Sequence, residues 1–283
     1  MGLIKPILII PDMLKDLYEK RKLSETEIAK RLGCSRHVIE TRMKLYDIKP
    51  RSYRESNTKY PKTDFSGNLF EKAYLIGFRL GDLSVDRRRF LIHVGCSTTL
   101  EPQVDLIKKL FSPYTFVYTK PSRILKGKWV IDIQCLLNDS FQFLLPKKDI
   151  IENWILKNDT CFCAFLAGYI DAEGHIFTRL QKKSITPFSG LEIQTYDKTI
   201  LHQTWEKLNR LGIECPRPLL NKPAGYVSKS GIINNGDCWR LSITKKKSLN
   251  QLFEKIYPFI KHQKRRNDLE EAWQNTRLRL CLT

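Results

Sequence analysis

The sequence has few of the features that mark folds held by zinc or by disulfides. Its eight cysteines are scattered along the chain, and only Cys161 and Cys163 lie close together. The chain has no Cys-x-x-Cys pair and no Cys/His quartet with zinc spacing, and its five histidines do not cluster. These absences argue against a structural zinc site and predict reduced thiols in a cytosol-like compartment.

Long apolar runs are also missing. No stretch approaches the roughly 18 consecutive apolar residues of a membrane span. The opening residues lack the basic region, long apolar stretch and small-residue cleavage site of a secretory signal. We therefore expect a soluble protein that is not secreted and has no membrane partner.

Acidic residues are scarce relative to basic ones. The chain of 283 residues holds 49 Lys and Arg against 30 Asp and Glu, which gives a formal net charge of +19. Hydrophobic residues make up 42% and aromatic residues 11%, so the charge belongs to a folded protein and not to a basic tail. This balance predicts an anionic partner, and nucleic acid is favoured over an acidic membrane surface, so no membrane partner is expected.

The first 48 residues have the pattern of a helix-turn-helix domain. Ser24 and Glu27 form a capping box, Gly33 is suited to a left-handed turn, and Ser35 is placed to cap the helix that follows. The three predicted helices resemble the DNA-binding units of resolvases and many prokaryotic regulators. An alternative is a small helical module that binds protein.

In such a unit the third helix enters the major groove. Its outward-facing candidates for DNA contact are Arg36, His37, Glu40, Thr41 and Lys44. Residues 49–66 are polar and basic and have no apolar periodicity, which predicts a linker or an arm along the phosphate backbone.

The rest of the chain repeats itself, with one copy in residues 67–157 and another in 158–283. The stretch 68–85 is an apolar helical run in which Gly77 and Gly81 are four residues apart, and it ends on Asp82. A second such run has Gly168 and Ala172 four apart and ends on Glu173. Each run is followed by the patterns of two strands, a helix, two strands and a helix, which predicts a duplicated α+β unit.

The two runs resemble the motif that gives the LAGLIDADG homing endonucleases their name. The second copy reads LAGYIDAEG (166–174), and the first, LIGFRLGDL (75–83), is a looser match. The resemblance spans roughly residues 67–275. It implies an α+β fold in which two αββαββα repeats form a saddle with pseudo-two-fold symmetry, here joined to a small all-α N-terminal domain.

The resemblance also implies a metal-dependent DNA endonuclease. Small residues four apart let two helices cross closely, which brings their acidic ends together. By position in the motif, Asp82 and Glu173 are then the catalytic metal ligands for Mg²⁺, or for another divalent cation such as Mn²⁺. Asp171, at the earlier acidic position, is expected to be structural, and Leu80 replaces it in the first copy.

Members of the family also place basic and polar residues around the metals. The positions that match are Lys147 or Lys148 and Lys261 or Lys264, of which Lys148 and Lys264 are taken as the catalytic pair. Polar positions at the ends of the second strands fall near Thr99 and Asp197.

The strands of the saddle are expected to lie in the major groove of double-stranded DNA, where alternate residues face the bases. The outward-facing candidates are Arg87, Arg88, Arg89, His93, Arg179, Gln181, Lys183, Gln194 and Arg240.

The complete prediction is a monomeric endonuclease that makes a double-strand break with short 3′ overhangs in a long, near-asymmetric target. Two alternatives remain open on the same scaffold. One is an intron maturase that binds RNA and assists splicing, and the other is a transcription regulator that has lost cleavage.

Overall fold

The structure is a computed structural model that describes residues 8–51, 60–180, 186–228, 231 and 233–281. The chain separates into two compact units, Met1–Pro61 and Lys62–Thr283. Each unit has its own cluster of buried apolar side chains. None of the described helices combines the length and apolarity that crossing a membrane requires.

The first unit is helical. Its elements are α1 (Pro11–Lys15), a π-helical turn (Asp16–Lys20), α2 (Glu25–Leu32) and α3 (Arg36–Leu45). The capping box of Ser24 and Glu27 is formed at the start of α2, and Gly33 ends that helix with φ of 68°. Ser35 precedes α3, but its side chain makes no capping hydrogen bond. The helices pack around Leu14, Leu17, Tyr18, Ile28, Ile39 and Met43.

The segment predicted as a linker packs against both units at its ends. Arg51 donates its backbone N–H to the hydroxyl of Tyr18 at 2.8 Å, and its guanidinium lies 4.3 Å from that ring. At the other end, Thr63 donates its N–H to the carbonyl of Tyr114, and the Phe65 ring packs on Phe141. Residues 52–59 lie outside the described residues.

The second unit contains two repeats. The first has α4 (Leu69–Asp82), β1 (Ser84–Arg88), β2 (Leu91–Thr98), α5 (Glu101–Phe111), β3 (Val117–Leu125), β4 (Lys128–Leu137), a 3-10 helix (Asp139–Leu144) and α6 (Asn153–Lys157). The second has α7 (Asp159–Glu173), β5 (Gly174–Arg179), β6 (Phe188–Thr195), α8 (Lys198–Arg210), β7 (Leu219–Lys222), β8 (Cys238–Ile243), α9 (Lys246–Ile256), a 3-10 helix (Tyr257–Phe259) and α10 (Gln263–Cys281).

Each repeat forms one antiparallel sheet of four strands. The strand orders are β1-β2-β4-β3 and β5-β6-β8-β7, so both repeats have the same topology. One face of each sheet is apolar and packs on the helices, as Ile92 and Ile193 illustrate with exposures of 0% and 1%. The duplicated α+β fold predicted from the sequence is confirmed.

Helices α4 and α7 lie at the centre of the second unit. Asn68 and Glu71 form a capping box at the start of α4, and the side chain of Asn158 accepts the N–H of Cys161 at the start of α7. Phe78 and Phe165 are fully buried where the helices meet. Burial of one such side chain contributes about 1.5 to 3 kcal/mol to the free energy of unfolding. The two motif helices therefore also form the main core of the unit.

Candidate active site

The two motif helices cross with their backbones in contact. A Cβ atom added to Gly77 would lie 2.1 Å from the carbonyl oxygen of Phe165, and one added to Gly168 would lie 2.1 Å from that of Tyr74. No side chain larger than hydrogen fits at either position, because a real Cβ never comes so close to a backbone oxygen. The two glycines therefore set the distance between the repeats.

The same crossing brings the acidic ends of the helices together. A Cβ added to Gly81 would lie 2.4 Å from the Cβ of Ala172 and 2.9 Å from the Cγ of Glu173. Since Asp82 follows Gly81 directly, the carboxylates of Asp82 and Glu173 lie on adjoining helix ends. Each of the two side chains is partly exposed.

Burial raises the pKa values of both acids, and repulsion from neighbouring carboxylates adds to the effect at Glu173. The pKa of Asp82 is raised to about 6, mainly because the group is desolvated, although a hydrogen bond from Gln103 opposes this effect. The pKa of Glu173 is raised to about 7 by desolvation and by the negative charges of Asp82 and Asp197. Two desolvated carboxylates side by side favour a bound cation or proton.

Two basic side chains act on this pair. The positive charges of Lys147 and Arg265 each lower the pKa of Asp82 and of Glu173. Gln103 donates its side-chain amide to Asp82 at 2.6 Å. Within the described part of the chain, the Glu173 carboxylate receives no hydrogen bond, which leaves its oxygens available to a ligand.

Asp171 supports the site from inside the core. Its side chain is 1% exposed and accepts hydrogen bonds from the hydroxyl of Tyr74 at 2.6 Å and from the backbone N–H groups of Lys261 and His262 at 2.8 and 3.0 Å. Desolvation raises its pKa to about 6, although these three hydrogen bonds oppose the rise. Asp171 thus ties the segment before α10 to the motif helix.

A cavity of about 190 Å³ opens beside Asp82. It is roomy enough for several water molecules. Its walls come from the motif helices, the end of β2 and the start of α10, and they include Asp82, Ser97, Thr98, Gln103, Ala172, Lys264 and Arg265. The polar end of β2, predicted near Thr99, therefore contributes Ser97 and Thr98 to the wall.

The two lysines named as catalytic differ in their surroundings. Lys264 lines the cavity, but its ammonium pairs with Asp268 at 2.7 Å. Lys148 is exposed, and its neighbour Lys147 is the residue whose charge acts on the carboxylates. Lys261 lies over the Tyr74 ring, with its Nζ atom 4.7 Å from the centroid.

Sequence reasoning missed Gln103 and Arg265. The sequence does contain a signal for Arg265, which is the basic run at residues 264–266. Gln103 gave no signal, since it is buried inside an ordinary amphipathic helix. Asp197 was placed near the site, and its carboxylate accepts the hydroxyl of Tyr169 at 2.9 Å.

In the second sheet the predicted DNA-contacting side chains share a face. Arg240 pairs with Gln194 across the β6–β8 ladder, on the face opposite the buried Leu241 and Ile193. Arg179 lies on the same face, with its guanidinium 4.2 Å from the Phe177 ring centroid. Gln181 and Lys183 lie outside the described residues.

In the first sheet the alternation divides the predicted residues. Arg88 lies on the outer face, where it pairs with Asp86 at 3.0 Å, and Arg89 is in the turn with φ of 57°. Arg87, predicted to face outward, is instead on the helix side of the sheet, because it lies opposite the buried Ile92; its guanidinium binds Asp139 at 2.8 Å.

His93, predicted to face outward, lies on the predicted face but is nearly buried there. Its side chain lies on the outer face but is only 7% exposed, and its Nδ1 atom is 2.7 Å from Asp86 Oδ1. The two residues are directly opposite each other on β1 and β2. Burial of His93 depends on neighbours that are distant in sequence, so the alternation of the strand could not reveal it.

In the first unit, α3 presents the predicted contact residues on its surface. His37, Thr41 and Lys44 are exposed. The Arg36 guanidinium is exposed but bound on two sides, to Glu25 at 2.9 Å and to Glu40 at 2.8 Å. These ion pairs fix the direction of the Arg36 side chain. Glu40, itself among the predicted contact residues, is thus bound to Arg36.

The carboxylate pair suits a hard divalent cation. Residues 8–51, 60–180, 186–228, 231 and 233–281 contain no cluster of three or more His, Cys, Asp or Glu that could hold a metal by themselves. Two neighbouring carboxylates, with an open cavity beside Asp82, match the few protein ligands that Mg²⁺ takes, because it keeps several waters or substrate oxygens. The remaining oxygens have to come from solvent or from a phosphate substrate.

We expect the metal-free protein to lose stability as the pH rises and Glu173 ionises. The pKa of Glu173 is about 7 in the folded protein, whereas a glutamate side chain in an unfolded chain has a pKa of about 4.3. The contribution of protonated Glu173 to the free energy of unfolding is therefore fully present below about pH 4. It is lost as the pH rises through about 7.

Glu173→Gln carries no charge, so it should lack this part of the pH dependence. Its free energy of unfolding should exceed that of the wild type by about 1 to 3 kcal/mol above about pH 8, and by much less near about pH 5. Urea unfolding with a chelator present measures both values. Parallel profiles for the two proteins would contradict the raised pKa.

Residues 161–257 match the family model of the LAGLIDADG-like domain. No curated protein matches the sequence.

Several solved structures have a similar fold. The homing endonuclease I-WcaI bound to its DNA recognition sequence is 16% identical, with 69% of this chain and 84% of that chain covered and a TM-score of 0.49. The meganuclease I-AabMI bound to uncleaved DNA is 11% identical, with 74% and 91% covered and a TM-score of 0.45. The N-terminal LAGLIDADG domain of DUF199/WhiA is 17% identical, with 69% and 86% covered and a TM-score of 0.43.

These likenesses concern the fold alone. The match to the family model covers the second motif helix and the sheet that follows it, and the first repeat has the same strand order around its own motif helix. Residues 161–257 therefore form a LAGLIDADG-like domain, and the first repeat shares its α/β topology.

Proposed function

We propose that this protein is a site-specific DNA endonuclease that requires a divalent cation. The observation that carries the proposal is the meeting of Asp82 and Glu173 at the ends of two crossing helices, one acid from each repeat. Such a pair has a cost for folding, because both acids are partly desolvated. A structural role would be served as well by neutral side chains.

Asp82 and Glu173 would hold the cation, for which Mg²⁺ is the natural choice and Mn²⁺ a substitute. When bound, such a cation activates water and stabilises charge on the phosphate. Lys147 and Arg265 add positive charge beside the carboxylates, where the phosphate of a substrate would lie. Gln103 orients the Asp82 carboxylate through its hydrogen bond.

Double-stranded DNA is the substrate that fits the rest of the surface. The net charge of +19 supports a polyanionic partner. On the outer face of the second sheet, Arg179, Gln194 and Arg240 supply donors and acceptors that can read base edges. Because the two repeats carry different side chains on these faces, a single chain suits a long, near-asymmetric target. Short 3′ overhangs are expected from the resemblance of the motifs.

The direct test is incubation of the protein with a randomised DNA library and Mg²⁺, followed by sequencing of the ends. We expect discrete cleavage sites that disappear with a chelator and with the double variant Asp82→Asn, Glu173→Gln. DNA that is bound at a specific sequence but never cut would favour the regulator. Binding and splicing assistance on intron RNA, without DNA cleavage, would favour the maturase.

Removal of residues 1–61 should separate the contributions of the two units. The first unit has its own core and a basic helix surface. Without it, we expect weaker DNA binding and a shorter footprint, while the cut position stays the same. The fall of log K with log salt should become shallower by about 0.9 for each lost phosphate contact.

Footprinting and binding across a range of salt concentrations measure these effects. The matched control is the full chain with Arg36→Ala and Lys44→Ala, which keeps the unit and removes two charges of α3. An unchanged footprint and salt slope in the truncated protein would show that the first unit does not contact DNA.

A further inference from the structure

The segment between the two repeats is tied to the end of the first motif helix, because Arg79 binds the carbonyl of Leu144 and that of Leu83, which follows Asp82. Residues 145–152 contain no helix or strand, so no regular secondary structure fixes the position of Lys147. Its charge nevertheless acts on Asp82 and Glu173 at once. The segment must therefore be held by side-chain contacts.

The corresponding segment of the second repeat is held by Asp171. This carboxylate accepts the backbone N–H groups of Lys261 and His262, just before the helix that carries Arg265. In the first repeat the equivalent position of the motif helix is Leu80, which is two residues before Asp82 as Asp171 is before Glu173. Leucine accepts no hydrogen bond, so the first repeat needs a different tether.

Two contacts supply that tether. Arg79, which is 4% exposed inside α4, donates one N–H to the carbonyl of Leu144 at 2.9 Å and another to the carbonyl of Leu83 at 2.6 Å. Beyond Lys147, the Asp149 carboxylate accepts the backbone N–H groups of Thr199 and Ile200, each at 2.8 Å. The segment is thus fixed on both sides of Lys147.

The cap that Asp149 provides comes from outside the helix it caps. Asp197 directly precedes α8, but its side chain makes no capping hydrogen bond and is used by Tyr169. The first-turn N–H groups of α8 therefore bind Asp149, a residue distant in sequence. The next residue but one, Ile151, adds a third contact by donating its N–H to the side chain of Gln203, also on α8, at 2.7 Å.

We propose that Asp149 is a positioning residue of the endonuclease site, which holds Lys147 at the carboxylates by binding the first turn of α8 in the other repeat. This inference rests on the proposed endonuclease function. Two residues of chain span at most about 7 Å, so a fixed Asp149 confines the backbone of Lys147. The contact also couples the second repeat to a basic group that follows the first sheet.

A double-mutant cycle on the full-length protein tests this role. Asp149→Ala should slow single-turnover DNA cleavage about tenfold to a hundredfold, the range for a misplaced active-site group. Lys147→Met should slow it at least as much. If Asp149 acts through Lys147, then Asp149→Ala should change the rate less than about twofold once Lys147 is already replaced.

A purely structural role gives a different pattern. Asp149→Ala would then reduce the rate by the same factor with and without Lys147, and this additive result would overturn the inference. Asp149→Asn retains one acceptor and should give an intermediate rate. Asp159→Ala is the control, because it removes another exposed carboxylate that contacts α8, through Lys207 at 2.6 Å, and should leave the rate unchanged.

Hydrogen exchange separates failure of this inference from failure of the proposed function. In Asp149→Ala, the amides of Thr199 and Ile200 should exchange faster. This change can be measured whether or not the protein cleaves DNA. Unchanged exchange would overturn the tether even in an active enzyme. If the wild-type protein cuts no DNA, the proposed function is refuted, and so is the role of Asp149 in it, whatever the exchange result.

Discussion

Glu173→Gln and Asp82→Asn should each reduce double-strand cleavage by about a thousandfold or more. A bound cation supplies several kcal/mol of charge stabilisation, and each 1.4 kcal/mol corresponds to about a factor of ten in rate. Both changes keep the volume of the side chain and remove the charge that holds the cation. DNA affinity should be retained or rise, since a negative charge is lost from the surface that faces a polyanion.

Single-turnover assays on a supercoiled plasmid that carries the selected site measure this effect. Each acid comes from a different repeat, so a single variant is expected to nick one strand more readily than it cuts both. Glu254→Gln is a matched control, because it makes the same chemical change on an exposed residue of α9. Cleavage of both strands by either active-site variant at the parental rate would refute the site.

Gly168→Ala should destabilise the protein strongly, by about 3 kcal/mol or more. Overpacking a core commonly costs about 1 to 3 kcal/mol, and here the added Cβ would meet a backbone oxygen at 2.1 Å. A backbone atom at a helix crossing cannot turn away as a side chain can. The two helices would have to separate, which would also pull the carboxylates of Asp82 and Glu173 apart.

Urea unfolding of the variant measures the loss of stability. Gly236→Ala is the control, because a Cβ there would find its nearest neighbour, a Tyr196 ring atom, at an ordinary 3.6 Å. Gly77→Ala should match Gly168→Ala, since its added Cβ meets the Phe165 oxygen at the same distance. Equal midpoints for Gly168→Ala and the wild type would contradict the close crossing.

The elements with strong local signals were predicted from the sequence. The capping box of Ser24 and Glu27 and the left-handed Gly33 depend only on neighbours within a few residues, and both are present in the structure. The duplicated order of helices and strands followed from apolar periodicity, which records burial directly. The four-residue spacing of small side chains predicted the helix crossing, because this spacing repeats on one face of a helix.

The identity of the groups around the acids depended on the tertiary structure. Choosing between Lys147 and Lys148, or finding Gln103 and Arg265, requires knowing which side chains of irregular segments and distant helices meet at the carboxylates. The same holds for His93, which alternation placed on the outer face but which its cross-strand neighbour Asp86 helps to bury.

The sequence by itself determined the duplicated fold, the two crossing helices and the pair of acids at their ends, because each of these is encoded by short-range spacing. Only the tertiary structure decided how the site is completed. Asp149 caps a helix of the other repeat, and Arg79 is buried beneath the segment it holds. These contacts join residues far apart in the chain, and no local pattern records them, since the free energy of such a contact depends on the folded positions of both partners.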